Sequence, residues 1–222
     1  SSLCGSADVL KALGVNIEAS PETVGRCLDD VGIGFLFAPA LHGAMKYAIG
    51  PRREVGIRTI FNALGPLTNP AGAQRQVVGG YSGALTEALA EVLGRLGSEH
   101  AFVVHGSDGL DEVTTTGSTQ VSELRDGSVS THEITPEAFG FARADAEALK
   151  GGDSETNSGI VLSVLRGDPG PRRDIVLLNA AVAVVAGGLA GDMPGGVELA
   201  REAVDSGRAM EKLEGLKAAS NV

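Results

Sequence analysis

Two short apolar runs with a helical stretch between them constrain this chain more than any other feature. Val77 to Tyr81 and Phe102 to His105 read as buried strands, and Thr86 to Leu96 between them has helical spacing. Further along, Gln120 to Leu124 and Ser128 to Glu133 flank Arg125-Asp126-Gly127, a hairpin signal. Helical patterns gather at both ends. Ala7 to Leu13 follows Ser6 as N-cap and stops at Gly14; Pro21 to Val31 begins on proline; Ala38 to Ile49 ends at Gly50-Pro51. After a Gly- and Asp-rich connection come an apolar helix, Val176 to Ala190, and an amphipathic one, Val197 to Leu216. Strand, helix, strand, with helices at either end, predicts an α/β sheet domain carrying helical additions.

Charge narrows the partners. Lys and Arg number 18 against 28 Asp and Glu, a formal net charge of -10. That argues against nucleic acid or an anionic membrane surface as the main partner. A phosphate-bearing ligand would have to be held by local devices, such as a metal ion, a helix N-terminus or single basic side chains. The two cysteines, Cys4 and Cys27, have no metal-ligand spacing, so a reduced, cytoplasmic setting is expected. Ile175 to Ala190 is broken by Asn179 and a glycine pair, and no membrane span is read there.

Four stretches could carry chemistry. Ser1-Ser2 with Gly5-Ser6 stands at the mouth of a helix, where free N–H groups favour phosphate, although Ser6 reads equally well as a plain cap. His42, Met45, Lys46 and Ile49 share a helix face ahead of Arg52 and Arg53, either as hooks for an anionic or aromatic ligand or as a solvated face. RTIFNALGPLTNP, residues 58 to 70, has two X-Pro steps and reads as a structural hinge. The fourth is HGSDGLDEVTTTG, residues 105 to 117, which sets Asp111 beside Glu112 after a strand. At about 4 Å and an effective dielectric near 20, like charges repel by roughly 4 kcal/mol. A bare phosphate would be repelled by such a pair. With Mg²⁺ between them the sign reverses, because magnesium takes one or two protein carboxylates and completes its shell with water and substrate oxygens. The other reading is a solvated acidic turn.

Taken together, SSLCGSADVLKALG, FAPALHGAMKYA, RREVGIRTIFNALGPLTNPAGAQRQVVGGY, HGSDGLDEVTTTG and GGDSETNSGIVLSVLRGDPGPRRDIVLLNAA resemble the anthranilate phosphoribosyltransferase family along essentially the whole chain. The resemblance implies an α/β fold with a central mixed, mainly parallel sheet flanked by helices, plus part of a small helical domain, as in nucleoside phosphorylases and phosphoribosyltransferases. Residues 1–60 would hold the remainder of a donor-binding segment and the helical-domain helices, and 61–222 the α/β catalytic domain. It implies transfer of phosphoribosyl from phosphoribosyl pyrophosphate (PRPP) to anthranilate by a Mg²⁺-dependent cytoplasmic homodimer, with no nucleic acid and no membrane as partners. Ser1, Ser2 and Ser6 would meet PRPP, Asp111 and Glu112 would ligate Mg²⁺, Arg52 would meet anthranilate through its carboxylate, and His42 would lie along the anthranilate path.

Two departures stand out. Gly43 occupies a position where proline is frequent in the family. The family's glycine-rich phosphate loop, its Asn-Ile-Ser-Thr segment and its Lys-His-Gly-Asn-Arg segment all precede the double serine and are absent. The expectation is therefore a C-terminal portion of such an enzyme, catalytically poor on its own. Two alternatives stay open: a related transferase or nucleoside phosphorylase acting on a nucleobase, and a non-enzymatic nucleic-acid-binding relative.

Overall fold

The structure is a computed structural model that describes residues 4–41 and 64–222. In chain order its elements are α1 (Ser6–Ala12), α2 (Pro21–Arg26), α3 (Ala38–Leu41), β1 (Arg75–Gly79), α4 (Thr86–Arg95), β2 (His100–Gly106), β3 (Thr119–Arg125), β4 (Ser128–Ile134), α5 (Ser154–Leu165), α6 (Pro171–Ala186), α7 (Met193–Asp205) and α8 (Arg208–Ser220). They fall into two compact units. Among the described residues no helix is long and apolar enough to cross a membrane.

The helical unit comprises residues 1–57, 150–168 and 203–222. Segments from the second half of the chain thus return to the N-terminal helices, which a single boundary at 60/61 does not provide for. The return is apolar: Leu13, Val15 and Cys27 form one buried cluster with Leu213 and Leu216, and Val161, Leu162 and Leu165 of α5 pack against it. Ser20 caps α2 by accepting from the Thr23 N–H, and Pro21 takes the first helical position, where no N–H is needed. The helix then continues as a wide turn over Cys27–Val31, stopped by Gly32 in the left-handed conformation.

The second unit, residues 58–149 and 169–202, holds the sheet. Strand order is β1-β2-β3-β4. β1 pairs β2 in parallel with Val77 opposite Phe102, as a crossover through α4 requires. β2–β3 and β3–β4 are antiparallel, the latter joined at Asp126-Gly127, where φ values of 52° and 76° match the two-residue hairpin turn. The sheet is mixed and flanked by helices as expected. The parallel share, expected to dominate, is one pairing of the three among the described strands.

β2 is buried on both faces, which is why Ala101 to Val104 at its centre form an unbroken apolar run. Ala101 and Val103 turn toward α4, joining Val78, Leu89, Ala90, Leu93 and Leu124 in one core. Phe102 and Val104, on the opposite face by the strand period of two, are also buried, and α6 lies against β1 and β2. A polar knot locks α4 to β3. The fully buried Thr86 hydroxyl donates to the Gly83 carbonyl and accepts from Gln120 Nε2 at 2.7 Å and Ser122 Oγ at 2.9 Å.

Three elements differ from the sequence reading. The stretch expected as one helix from Val197 to Leu216 is two, α7 and α8, broken at Gly207 with φ 81°. α5 occupies the stretch read as a Gly- and Asp-rich connection. Its first half is polar and its second apolar, so it shows no amphipathic period; Asp153 starts it by capping Thr156 N–H at 2.8 Å. Gly5, not Ser6, is the N-cap of α1.

The core makes a contrast between two leucines of the same helix region. Leu93 is 1% exposed and Leu96 is 62% exposed. Leu93→Ala should cost about 2–5 kcal/mol in urea unfolding, and Leu96→Ala no more than about 0.5 kcal/mol.

Candidate functional site

The carboxyl ends of parallel strands are where open α/β sheets bind ligands, because chain reversals there leave a crevice. In this sheet those ends belong to β1 and β2. Leaving β1, Gly80 N–H donates to the Val104 carbonyl at 2.8 Å, and His105 Nδ1 donates to the Gly80 carbonyl at 2.8 Å. A carbonyl can only accept, so Nδ1 carries the proton. Leaving β2, the chain folds back over β1 so closely that a Cβ on Gly79 would collide with the Asp111 carbonyl oxygen. Glycine is required there by space.

The turn that makes this approach is held from inside. Gly106 N–H donates to the Leu110 carbonyl at 2.8 Å, and Gly109 takes φ 91° between them. Asp108 is the organiser. Its carboxylate accepts from the Thr114 and Thr116 hydroxyls, each at 2.6 Å, and from the Leu110 N–H at 3.1 Å. Desolvation, the largest single influence, would raise the Asp108 pKa, but those hydroxyls and the backbone N–H together outweigh it and hold the carboxyl below its ordinary value. The exit of the turn is tied to α6, where Asn179 accepts from the Val113 N–H at 2.9 Å and donates to the Val113 carbonyl at 2.7 Å. Val113, Thr114 and Thr115 are fully buried.

Asp111 and Glu112 stand differently. Both are exposed, and neither has a hydrogen bond or ion pair from its side chain among the described residues. Although Glu112 reaches solvent, surrounding protein desolvates its carboxyl, and that, ahead of the negative charge of Asp111, raises its pKa above the ordinary 4.5. No group of three or more His, Cys, Asp or Glu that could hold a metal occurs among the described residues. Two adjacent, unpaired hard-oxygen donors that repel one another fit a magnesium ion whose remaining ligands are water and substrate oxygens.

The other residues marked from sequence fare variously. Ser6 opens α1 in the helical unit with its side chain exposed. The Gly5 N–H at that end is taken by the Asp8 carboxylate at 2.9 Å, so the chain already supplies an anion there. Ser1, Ser2, His42 and Arg52, with the expected helix beyond Leu41, lie outside the described residues. Sequence reasoning missed Asp108, Thr114, Thr116 and Asn179 as the groups that shape the turn. For Asn179 the signal was present, as a lone carboxamide interrupting an apolar helix.

A family model described as glycosyl transferase family, a/b domain, matches residues 1–210. The anthranilate phosphoribosyltransferase of Pelobacter propionicus is 62% identical over 216 residues, 97% of this chain and 62% of that protein. That of Geobacter sulfurreducens is 59% identical over all of this chain and 63% of its own length. Among solved structures, the enzyme from Thermus thermophilus superposes with TM-score 0.92 at 44% identity, over 98% of this chain and 65% of that one. The Saccharomyces cerevisiae enzyme in complex with PRPP and Mg gives 0.89 at 30% identity, over 98% and 63%. This chain therefore spans a little under two thirds of the length of the relatives it matches.

The raised Glu112 pKa fixes a sign. The folded chain holds its proton to higher pH than the unfolded chain, so stability falls as pH rises from 4.5 through the raised value. Glu112→Gln should raise Tm at pH 7, with the gain vanishing below about pH 4. An equal or lower Tm for the variant at pH 7 would contradict the desolvation of Glu112.

Proposed function

The chain belongs to the glycosyl transferase family through its a/b domain, and from that premise we propose that it serves anthranilate phosphoribosyl transfer, joining PRPP and anthranilate and releasing pyrophosphate. One observation carries the reading. Two carboxylates with no side-chain partner among the described residues stand at the carboxyl end of the parallel strands, in a chain 62% identical to a protein named anthranilate phosphoribosyltransferase. The yeast relative in complex with PRPP and Mg, and the one in complex with 4-fluoroanthranilate, support the same substrates and ion.

In this reading the anthranilate amine attacks C1 of the ribose as the C1–O bond to pyrophosphate breaks. Pyrophosphate leaves with the bonding electron pair, and the amine gives its proton to solvent. Asp111 and Glu112 would hold magnesium. Held there, the ion would supply positive charge against that building on the departing diphosphate, an interaction stronger in the transition state than in the ground state. Asp108 and its threonines hold the turn that carries the pair. Ser1, Ser2 and Ser6 would contact PRPP. Arg52 would meet the anthranilate carboxylate with a planar, two-pronged guanidinium, and His42 would line the approach. The amine is already nucleophilic, so no covalent intermediate is needed, and positioning of the two substrates supplies much of the rest. Homodimerisation and a cytoplasmic setting belong to the same proposal.

Two experiments test it, both in a polypeptide carrying this chain at the full length of its relatives. Asp111→Ala with Glu112→Ala should lower kcat/KM by about a hundredfold, or about 2.7 kcal/mol, and abolish the magnesium dependence. Unchanged magnesium dependence, or turnover of a nucleobase in preference to anthranilate, would refute the proposal. Arg52→Ala should raise KM for anthranilate and leave KM for PRPP unchanged; the reverse pattern would remove Arg52 from the acceptor site.

A further inference from the structure

Asn179, itself half-buried, sits in the middle of α6, a helix whose Leu177, Leu178, Ala181 and Val182 are all 1% exposed or less. A carboxamide that gives up part of its water on folding needs protein partners in exchange. Here both of its polar atoms have them. The oxygen accepts from Val113 N–H at 2.9 Å, and the nitrogen donates to the Val113 carbonyl at 2.7 Å and to the Ile175 carbonyl of its own helix at 2.9 Å. The two bonds to Val113 mimic the exchange between paired strands, so the peptide units on both sides of Val113 are fixed to the helix. The buried neighbours on α6 fix the helix rotation in turn.

The upstream side of the carboxylate pair is fixed as well, by the bond from Gly106 N–H to the Leu110 carbonyl. Asp111 and Glu112 are therefore the two residues strung between anchored peptide units, one ending at Leu110 and one beginning at Val113. Their side chains have no partner of their own among the described residues. Whatever directs them must act through the backbone, and the downstream half of that direction comes from a residue 66 positions away.

We infer that Asn179 is the positioning residue that sets the separation and direction of the Asp111 and Glu112 carboxylates for a divalent cation. The inference rests on the metal role proposed above and adds the group that enforces its geometry. Groups that orient a metal ligand without touching the metal commonly change affinity by 10–100-fold when removed.

The test is Mn²⁺ binding to the 222-residue chain, followed by electron paramagnetic resonance of the free ion, with and without inorganic pyrophosphate. Asn179→Ala and Asn179→Gln should each weaken Mn²⁺ binding about tenfold or more, the second by keeping the carboxamide but displacing it by one methylene. Val182→Ala, which removes buried apolar volume from the same helix without deleting a hydrogen bond, should lower Tm while leaving Mn²⁺ affinity within twofold; this separates positioning from mere stability. If Asn179→Ala does not fold, the glutamine variant decides. Unchanged Mn²⁺ affinity in the folded Asn179 variants, beside a loss in Asp111→Asn with Glu112→Gln, would overturn the inference and leave the metal role standing. A wild-type chain that titrates like that double carboxylate variant would remove the metal role itself, and the inference with it.

Discussion

The close approach of Asp111 to the end of β1 is the constraint from which the rest of the sheet unit follows. Its carbonyl oxygen occupies the space that a side chain at position 79 would need, so β1 must end on glycine. The turn after β2 can then lie across the parallel pair instead of projecting away from it. That choice brings the next residue pair to the carboxyl ends of β1 and β2, where a ligand can reach both strand connections. A methyl group at residue 79 would collide with the Asp111 carbonyl oxygen and force the turn away from the end of β1.

Three acids within five residues have three environments, and the environment decides what each can do. Asp108 is satisfied internally by two threonine hydroxyls and a backbone N–H, and its charge is absorbed into the architecture of the turn. Asp111 and Glu112 have no such partners among the described residues, and Glu112 is desolvated beside a like charge. A carboxylate in that condition is poorly suited to stabilising the fold and well suited to a divalent cation. Thr115 makes the same contrast from the other direction. Its buried hydroxyl has no partner among the described residues while Thr114 and Thr116 both bond Asp108, so the three threonines are not interchangeable.

The sequence was most readable where signals were local. Strand β2 announced itself because burial on both faces demands an unbroken apolar run, and Asp126-Gly127 marked its hairpin because few residues tolerate two positive φ angles. The Asp111-Glu112 pair was visible for the same reason, being adjacent in the chain. α5 escaped because its apolar residues lie in one half instead of along one face, and the α7–α8 break because a single glycine interrupts an otherwise continuous pattern. The tie from Asn179 to Val113 spans 66 residues, and no local pattern encodes which backbone a lone asparagine will meet. The antiparallel pairing of β2 with β3 was likewise a matter of where the chain returns, which no local signal carried, whereas the β3–β4 pairing followed from the hairpin turn.

Anomalous diffraction from a crystal of this chain grown with Mn²⁺ and inorganic pyrophosphate tests the central claim most directly. The account predicts one strong peak about 2.0–2.3 Å from carboxylate oxygens of both Asp111 and Glu112, with diphosphate oxygens completing the shell. Pyrophosphate bound at the ends of β1 and β2 without metal, or a metal peak held by other side chains, would contradict it.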